Sequence, residues 1–177
     1  RGPGAALLAD SQEGVRVAAS CDLAIAHSTW MVQELRQRTG LPQNRVARLP
    51  LPVDVARFQL PTPQAERDDR GHDRTSAPAA LLYVGRIASA KRIDVLISAL
   101  ALLVARGRDA RLTLVGDAEL APYRATLERL LARARRLGVA DRVVVAGRIP
   151  DTELAAAYAA ADVVVTASEH EGFCVPL

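Results

Sequence analysis

The stretch "ALLYVGRIASAKRIDVLISALALLVARGRDARLTLVG", residues 80–116, decides the fold. It opens on an apolar run ending in glycine, "ALLYVG" (80–85), and closes on another, "RLTLVG" (111–116). Both read as buried strands. Between them Ile93, Leu96, Ile97, Leu100, Leu103 and Val104 recur at the spacing of one helix face, which predicts an amphipathic helix. That helix is expected to begin near Ser89, with Ser89 as its cap. The pattern then repeats. "ELAPYRATLERLLARARRLGV" (119–139) reads as a helix ended by Gly138, and "RVVVAG" (142–147) as a third strand. "DTELAAAYAAA" (151–161) reads as a short helix capped by Asp151 or Thr152, and "DVVVTA" (162–167) as a fourth strand. Continuously apolar strands separated by helices predict βαβ units, hence an α/β fold whose parallel sheet carries helices on both faces. In such sheets ligands bind beyond the carboxyl ends of the strands. Here those ends are the loops Gly85–Arg86, Gly116–Asp117, Gly147–Arg148 and Ser168–Gly172.

Working outward, the N-terminal third also alternates. "AALLADSQEGVRVAASC" (5–21) and "TWMVQELRQRTG" (29–40) read as helices, "DLAIAHS" (22–28) and "RVARLPL" (45–51) as strands. His27 ends the first of these strands, where an edge position is favoured over one lining a cleft. "QLPTPQAERDDRGHDRTSAP" (59–78) is polar, proline-bearing and dense in charge, the mark of a linker or long loop. The expected organisation is therefore one domain over 1–60, a linker over 61–78 and a second domain over 79–177. The chain opens on Arg1 and stops at "EGFCVPL" within an apparent element, so it reads as a fragment truncated at both ends.

Composition narrows the partners. Half of the 177 residues are apolar but only 3% are aromatic, so there is little to stack nucleic-acid bases, and no nucleic-acid role is expected. The net charge of +3 is mild and suits an anionic small ligand or an acidic membrane surface. Cys21 and Cys174 lie far apart without a CxxC pattern, which points to free thiols and a reducing, cytoplasmic compartment. The longest apolar stretch is cut by Arg92, Asp94 and Arg106, short of the roughly 18 residues of a membrane span.

Lys91 is the one lysine among twenty-three cationic residues. A solvated lysine offset by Asp94 is one reading. The other is an anion held jointly by Arg86, Lys91 and the helix N-terminal N–H groups, with lysine as a compact point charge. Neither GxxxxGK[ST] nor GxGxxG occurs, so side chains and one helix end would grip phosphates without a glycine cradle. In "SEHEGFCVPL" (168–177), Ser168 and Glu171 have capping-box spacing. Gly172 and Pro176 would then fall inside the first turns, so the segment reads instead as a loop. It carries Glu169 and Glu171, carboxylates suited to accept hydrogen bonds from sugar hydroxyls. Asp69, His72 and Asp73 could ligate a metal, but a solvated linker is the favoured reading and no DxD motif is present, so no metal site is expected.

Four pieces in order, "YVGRIASAKRIDVLISA", "LTLVGDAE", "LGVADRVVVAGRIPDTELAAAYAAADVVVTAS" and "EGFCVPL", resemble the C-terminal, donor-binding domain of the retaining glycosyltransferases of group 1 (family 4). Upstream, "CDLAIAHS" and "RVARLPLPVDVARF" look like the end of that family's N-terminal, acceptor-side domain and the crossing into the second. The resemblance covers about 15–60 and 79–177. It implies the GT-B fold, two Rossmann-like domains with a nucleotide-sugar donor in the cleft. Arg86 and Lys91 match the residues that hold the donor diphosphate. Glu171 matches the first glutamate of the E-x7-E signature, expected on the sugar hydroxyls. Gly116, Arg148 and Ile149 match positions near the nucleotide, and Gly85, Ser168, Gly172, Phe173 and Cys174 complete the implied donor-binding set. The implied reaction moves a sugar from a nucleotide-diphosphate donor to a glycan, lipid or small-molecule acceptor with retention at the anomeric carbon, without metal or other cofactor. A lipid acceptor would bring peripheral association with the inner face of the membrane.

The chain departs from the family at Cys174 and Pro52, where glycine is usual. The second signature glutamate falls beyond Leu177, and this stretch alone is not expected to turn over. Two alternatives stay open: a non-catalytic nucleotide- or sugar-binding module of the same fold, and an α/β domain of another cleft enzyme such as a nucleotide-sugar epimerase.

Overall fold

The computed structural model describes residues 12–52 and 77–169. They divide between two compact units, 12–52 with Glu169, and 77–168. In the first, α1 (Gln12–Ser20), β1 (Ala24–Ala26), α2 (Thr29–Thr39) and β2 (Val46–Arg48) follow one another, and the two strands pair in parallel. Local chemistry sets their ends. Ser28 Oγ accepts the Met31 N–H at 3.2 Å and caps α2, and Gly40 closes it with its N–H on the Arg36 carbonyl. The Arg45 guanidinium donates to the carbonyls of Ala19, Cys21 and Asp22, where the end of α1 leaves acceptors without helical partners. His27 Nδ1 lies 2.9 Å from the Leu49 carbonyl oxygen. The ring thus ties the exit of β1 to the exit of β2.

The second unit runs β3 (Ala79–Val84), α3 (Ile93–Ala105), β4 (Ala110–Val115), α4 (Ala121–Arg136), β5 (Val143–Gly147), α5 (Asp151–Ala160) and β6 (Val163–Val164). All four strands are parallel, in the order β5–β4–β3–β6. This is the parallel α/β sheet that the aliphatic runs predict. The chain builds outward from β3 to β5, then returns to the far side of β3. Right-handed crossovers put α3 and α4 on one face during the outward run and α5 on the other during the return.

Alternation along the strands selects the core. Leu81 and Tyr83, Ala110, Leu112 and Leu114, and Val143 and Val145 share a face and pack with Ile93, Ile97 and Leu100 of α3 and Leu130 and Ala134 of α4. Of the six α3 residues singled out by periodicity, Ile93, Ile97 and Leu100 are buried, and Leu96, Leu103 and Val104 pack at the margin. Each fully buried aliphatic side chain contributes about 1.5–3 kcal/mol, so this face supplies much of the unit's hydrophobic stabilisation.

Three boundaries differ from the expectations. Helix α3 starts at Ile93, not near Ser89. Ser89–Lys91 forms a separate 3-10 turn, and Arg92 is left-handed (φ 48, ψ 41), which breaks helical continuity and delivers Ile93 into the core. Lys91 therefore precedes the helix and is not in its first turn. In α5, Asp151 is the first helical residue and Pro150 takes the cap position, because the proline ring fixes a φ of −61 with ψ extended. Strand β6 is only two residues long, although the Asp162 and Val165 N–H groups still donate to the carbonyls of Ala80 and Leu82. No helix among the described residues is long and apolar enough to cross a membrane.

Candidate functional site

The strand order contains one reversal. Connections leave β3 in one direction and arrive at β6 from the other, a topological switch point, and in open α/β sheets the ligand crevice lies at such a point, on the carboxyl edge. The loop after β3 carries Gly85, Arg86 and, in the 3-10 turn, Lys91. The chain after β6 carries Ser168 and Glu169.

The floor of this edge is backbone on backbone. The Gly85 N–H donates to the Val115 carbonyl at 2.9 Å and the Gly116 N–H to the Gly147 carbonyl at 2.8 Å. Gly116 lies so close beneath the first loop that a β-carbon there would sit 1.8 Å from the Gly85 carbonyl oxygen. Only glycine allows that approach. The Ile87 N–H reaches the Asp117 carbonyl at 3.4 Å and its side chain is fully buried, so the loop is pinned on both sides of Arg86.

Two of the chain's three tyrosines hold Arg86 itself. Buried Tyr83 donates its hydroxyl to the Arg86 carbonyl at 2.9 Å. The Arg86 guanidinium donates through Nη1 to the Tyr123 hydroxyl at 3.5 Å, from the first turn of α4. Arg86 is exposed, Lys91 half-buried. Asp117 Oδ1 accepts the Glu119 N–H at 2.7 Å and shapes the loop between β4 and α4.

Seven residues expected at a donor site therefore lie on loops of one sheet edge: Gly85, Arg86, Lys91, Gly116, Arg148, Ile149 and Ser168. Arg148 is exposed and Ile149 half-buried just past β5, while Ser168 Oγ sits 3.3 Å from Thr166 Oγ past β6. Glu171, Gly172, Phe173 and Cys174 lie outside the described residues. Sequence reasoning missed Tyr83 and Tyr123, and it placed Asp117 in a strand-end loop without giving it a role. Pro122, which marks the start of α4, was the one local signal that Tyr123 stands near the carboxyl edge. Among the described residues no three His, Cys, Asp or Glu side chains gather as metal ligands.

Chemically, this edge offers two cations and a tyrosine hydroxyl beside the switch point, an arrangement able to receive an anionic ligand. Residues 64–177 match the family described as glycosyl transferases group 1. The chain is 35% identical over 174 residues to D-inositol 3-phosphate glycosyltransferase 2 of Catenulispora acidiphila, covering 97% of this chain and 39% of that protein. It is 32% identical over 156 residues to mannosylfructose-phosphate synthase of Agrobacterium fabrum, covering 87% of this chain and 34% of that protein. The crystal structure of Anabaena HepE in complex with UDP superposes with a TM-score of 0.73 at 24% identity, over 90% of this chain and 43% of that one. The last likeness is one of fold. The chain thus spans somewhat over a third of the length of the curated relatives it matches. With the family matched over most of the chain, on the same loops that carry Arg86 and Lys91, this protein belongs to the glycosyl transferases of group 1.

Proposed function

We propose that residues 79–177 bind the nucleotide-sugar donor of a retaining glycosyltransferase that transfers a sugar to a glycan, lipid or small-molecule acceptor without a metal ion. The observation that carries this reading is the placement of Arg86 and Lys91 on the loop that borders the β3–β6 crevice. Both named relatives are a glycosyltransferase and a sugar-phosphate synthase, and HepE was crystallised with UDP. In the proposed roles, Arg86 and Lys91 neutralise the charge that grows on the leaving diphosphate. Arg148 and Ile149 flank the base, and Glu171 accepts hydrogen bonds from the donor sugar. The proposed location is cytoplasmic, on the inner face of the membrane when the acceptor is a lipid.

The test is calorimetry of UDP, GDP and ADP with the full-length protein and its Lys91→Ala variant. One nucleotide should bind selectively, and loss of a charge-assisted contact worth about 1.5–3 kcal/mol should weaken it at least tenfold. Equal binding by the two proteins would reduce Lys91 to a solvated surface cation and remove the donor-site reading.

A further inference from the structure

Among the described residues, Arg92 is the one non-glycine residue with a positive φ. A left-handed backbone is disfavoured for any residue with a β-carbon, and arginine has no side-chain chemistry that favours it locally. The strained residue stands at the joint between the Ser89–Lys91 turn and α3. Its guanidinium folds forward onto Asp94, with Nε 3.1 Å from Oδ1 and Nη2 3.3 Å from Oδ2, a fork on a carboxylate. Asp94 lies in the first turn of α3, where the helix dipole favours a negative charge. The contacts continue inward. The Asp94 carbonyl accepts the Ser98 hydroxyl at 2.7 Å, and Ser98 Oγ accepts Arg133 Nε and Nη2 of α4 at 3.2 and 2.8 Å. If Arg92 relaxed to right-handed geometry, α3 could extend back through Ser89–Lys91. Each added helical residue rotates by about 100°, so Lys91 would leave its present heading.

We propose that the Arg92–Asp94 pair is a clasp that holds this left-handed joint and so aims Lys91 at the crevice, which makes both members positioning residues. The proposal rests on the donor-site reading above. A strained backbone persists only where its surroundings over-determine it, and the fork from Arg92 onto the Asp94 carboxylate, with buried Ile93 between them, provides that constraint.

The test compares Arg92→Ala with Arg92→Gly in the full-length protein. Both remove the same charge, but only glycine takes the left-handed joint freely. The probe is whichever of UDP, GDP and ADP binds the wild type, with melting temperatures recorded alongside. Arg92→Gly should bind roughly threefold to tenfold more tightly than Arg92→Ala, whose competent conformation is less populated. In a Lys91→Ala background that difference should vanish. Asp94→Asn should weaken binding more in the wild type than in the Arg92→Gly background, where no clasp is needed. Equal affinities of the alanine and glycine variants, or a difference that persists without Lys91, would overturn the clasp while leaving the donor site standing. If no nucleotide binds, or Lys91→Ala binds like the wild type, the donor site and the clasp fall together.

Discussion

The carbonyl oxygen of Gly85 occupies the space that a β-carbon on Gly116 would need, at 1.8 Å. Two adjacent parallel strands thus end with their exits stacked, and the contact is backbone against a missing side chain. No flexible group can move aside. Gly116→Ala is expected to cost about 3 kcal/mol or more, because the strand exits must part and take the Gly85 N–H to Val115 bond with them. Urea denaturation measures this. A loss within about 0.5 kcal/mol would show that the two loops are not in the contact described.

Tyr123 holds Arg86 with its hydroxyl and packs its ring against the core, and the two roles are separable. Tyr123→Phe keeps the ring and removes the acceptor. Stability should change by no more than about 0.5 kcal/mol. Affinity for the nucleoside diphosphate should fall roughly threefold, in line with a neutral hydrogen bond worth about 0.5–1.5 kcal/mol. In an Arg86→Ala background the substitution should have no further effect, the non-additivity expected of contacting residues. Additive losses in that double-mutant cycle would break the link between the tyrosine and the arginine.

Asp94 makes the stability dependent on pH in a defined direction. The hydrogen bond from Arg92 holds its carboxyl below the ordinary value, burial opposes this, and the charges of Arg92 and Arg133 add to the lowering. A depressed carboxyl favours the folded state above the ordinary carboxylate range, near pH 4, and that contribution is lost as pH falls through the lowered value. The stability gap between wild type and Asp94→Asn should therefore be constant above about pH 5 and shrink in acid. Denaturation curves from pH 7 down to pH 3 check it. A gap that widens in acid would contradict the ion pair.

Much of the second unit was legible from local pattern. A parallel strand buried on both faces leaves an unbroken aliphatic run, and "ALLYVG", "RLTLVG" and "RVVVAG" each became a strand within a residue of its expected bounds. The core face of α3 followed from spacing for the same reason: one stripe of a helix meets the sheet. The joint at Arg92 was not legible, because arginine signals neither a turn nor a left-handed backbone, and the start of α3 was misplaced there. The grip of Tyr83 and Tyr123 on Arg86 depends on three elements that meet only in the folded chain. Periodicity also says nothing of which strands are neighbours, so the crevice between β3 and β6 had to come from topology. Lys91 stood out for the opposite reason, since a lone lysine among arginines is visible without any fold.

The seam between β3 and β6 has a consequence for the order of assembly. It rests on two register pairs, Leu81 with Val163 and Leu82 with Val164, whereas β3 and β4 share six. It also joins residues 82 apart in sequence, as the bond from the Ala80 N–H to Asp162 shows. Such a closure costs more chain entropy than the local β3–α3–β4 unit and is rewarded by fewer bonds. The β3–β6 seam is therefore expected to be the last part of the sheet to close during folding and the first to open in the native state. Amide exchange should be fastest, among the sheet strands, at Val163–Val165, and a ligand that bridges the crevice would slow it there by stitching late-arriving chain to the part that folds first.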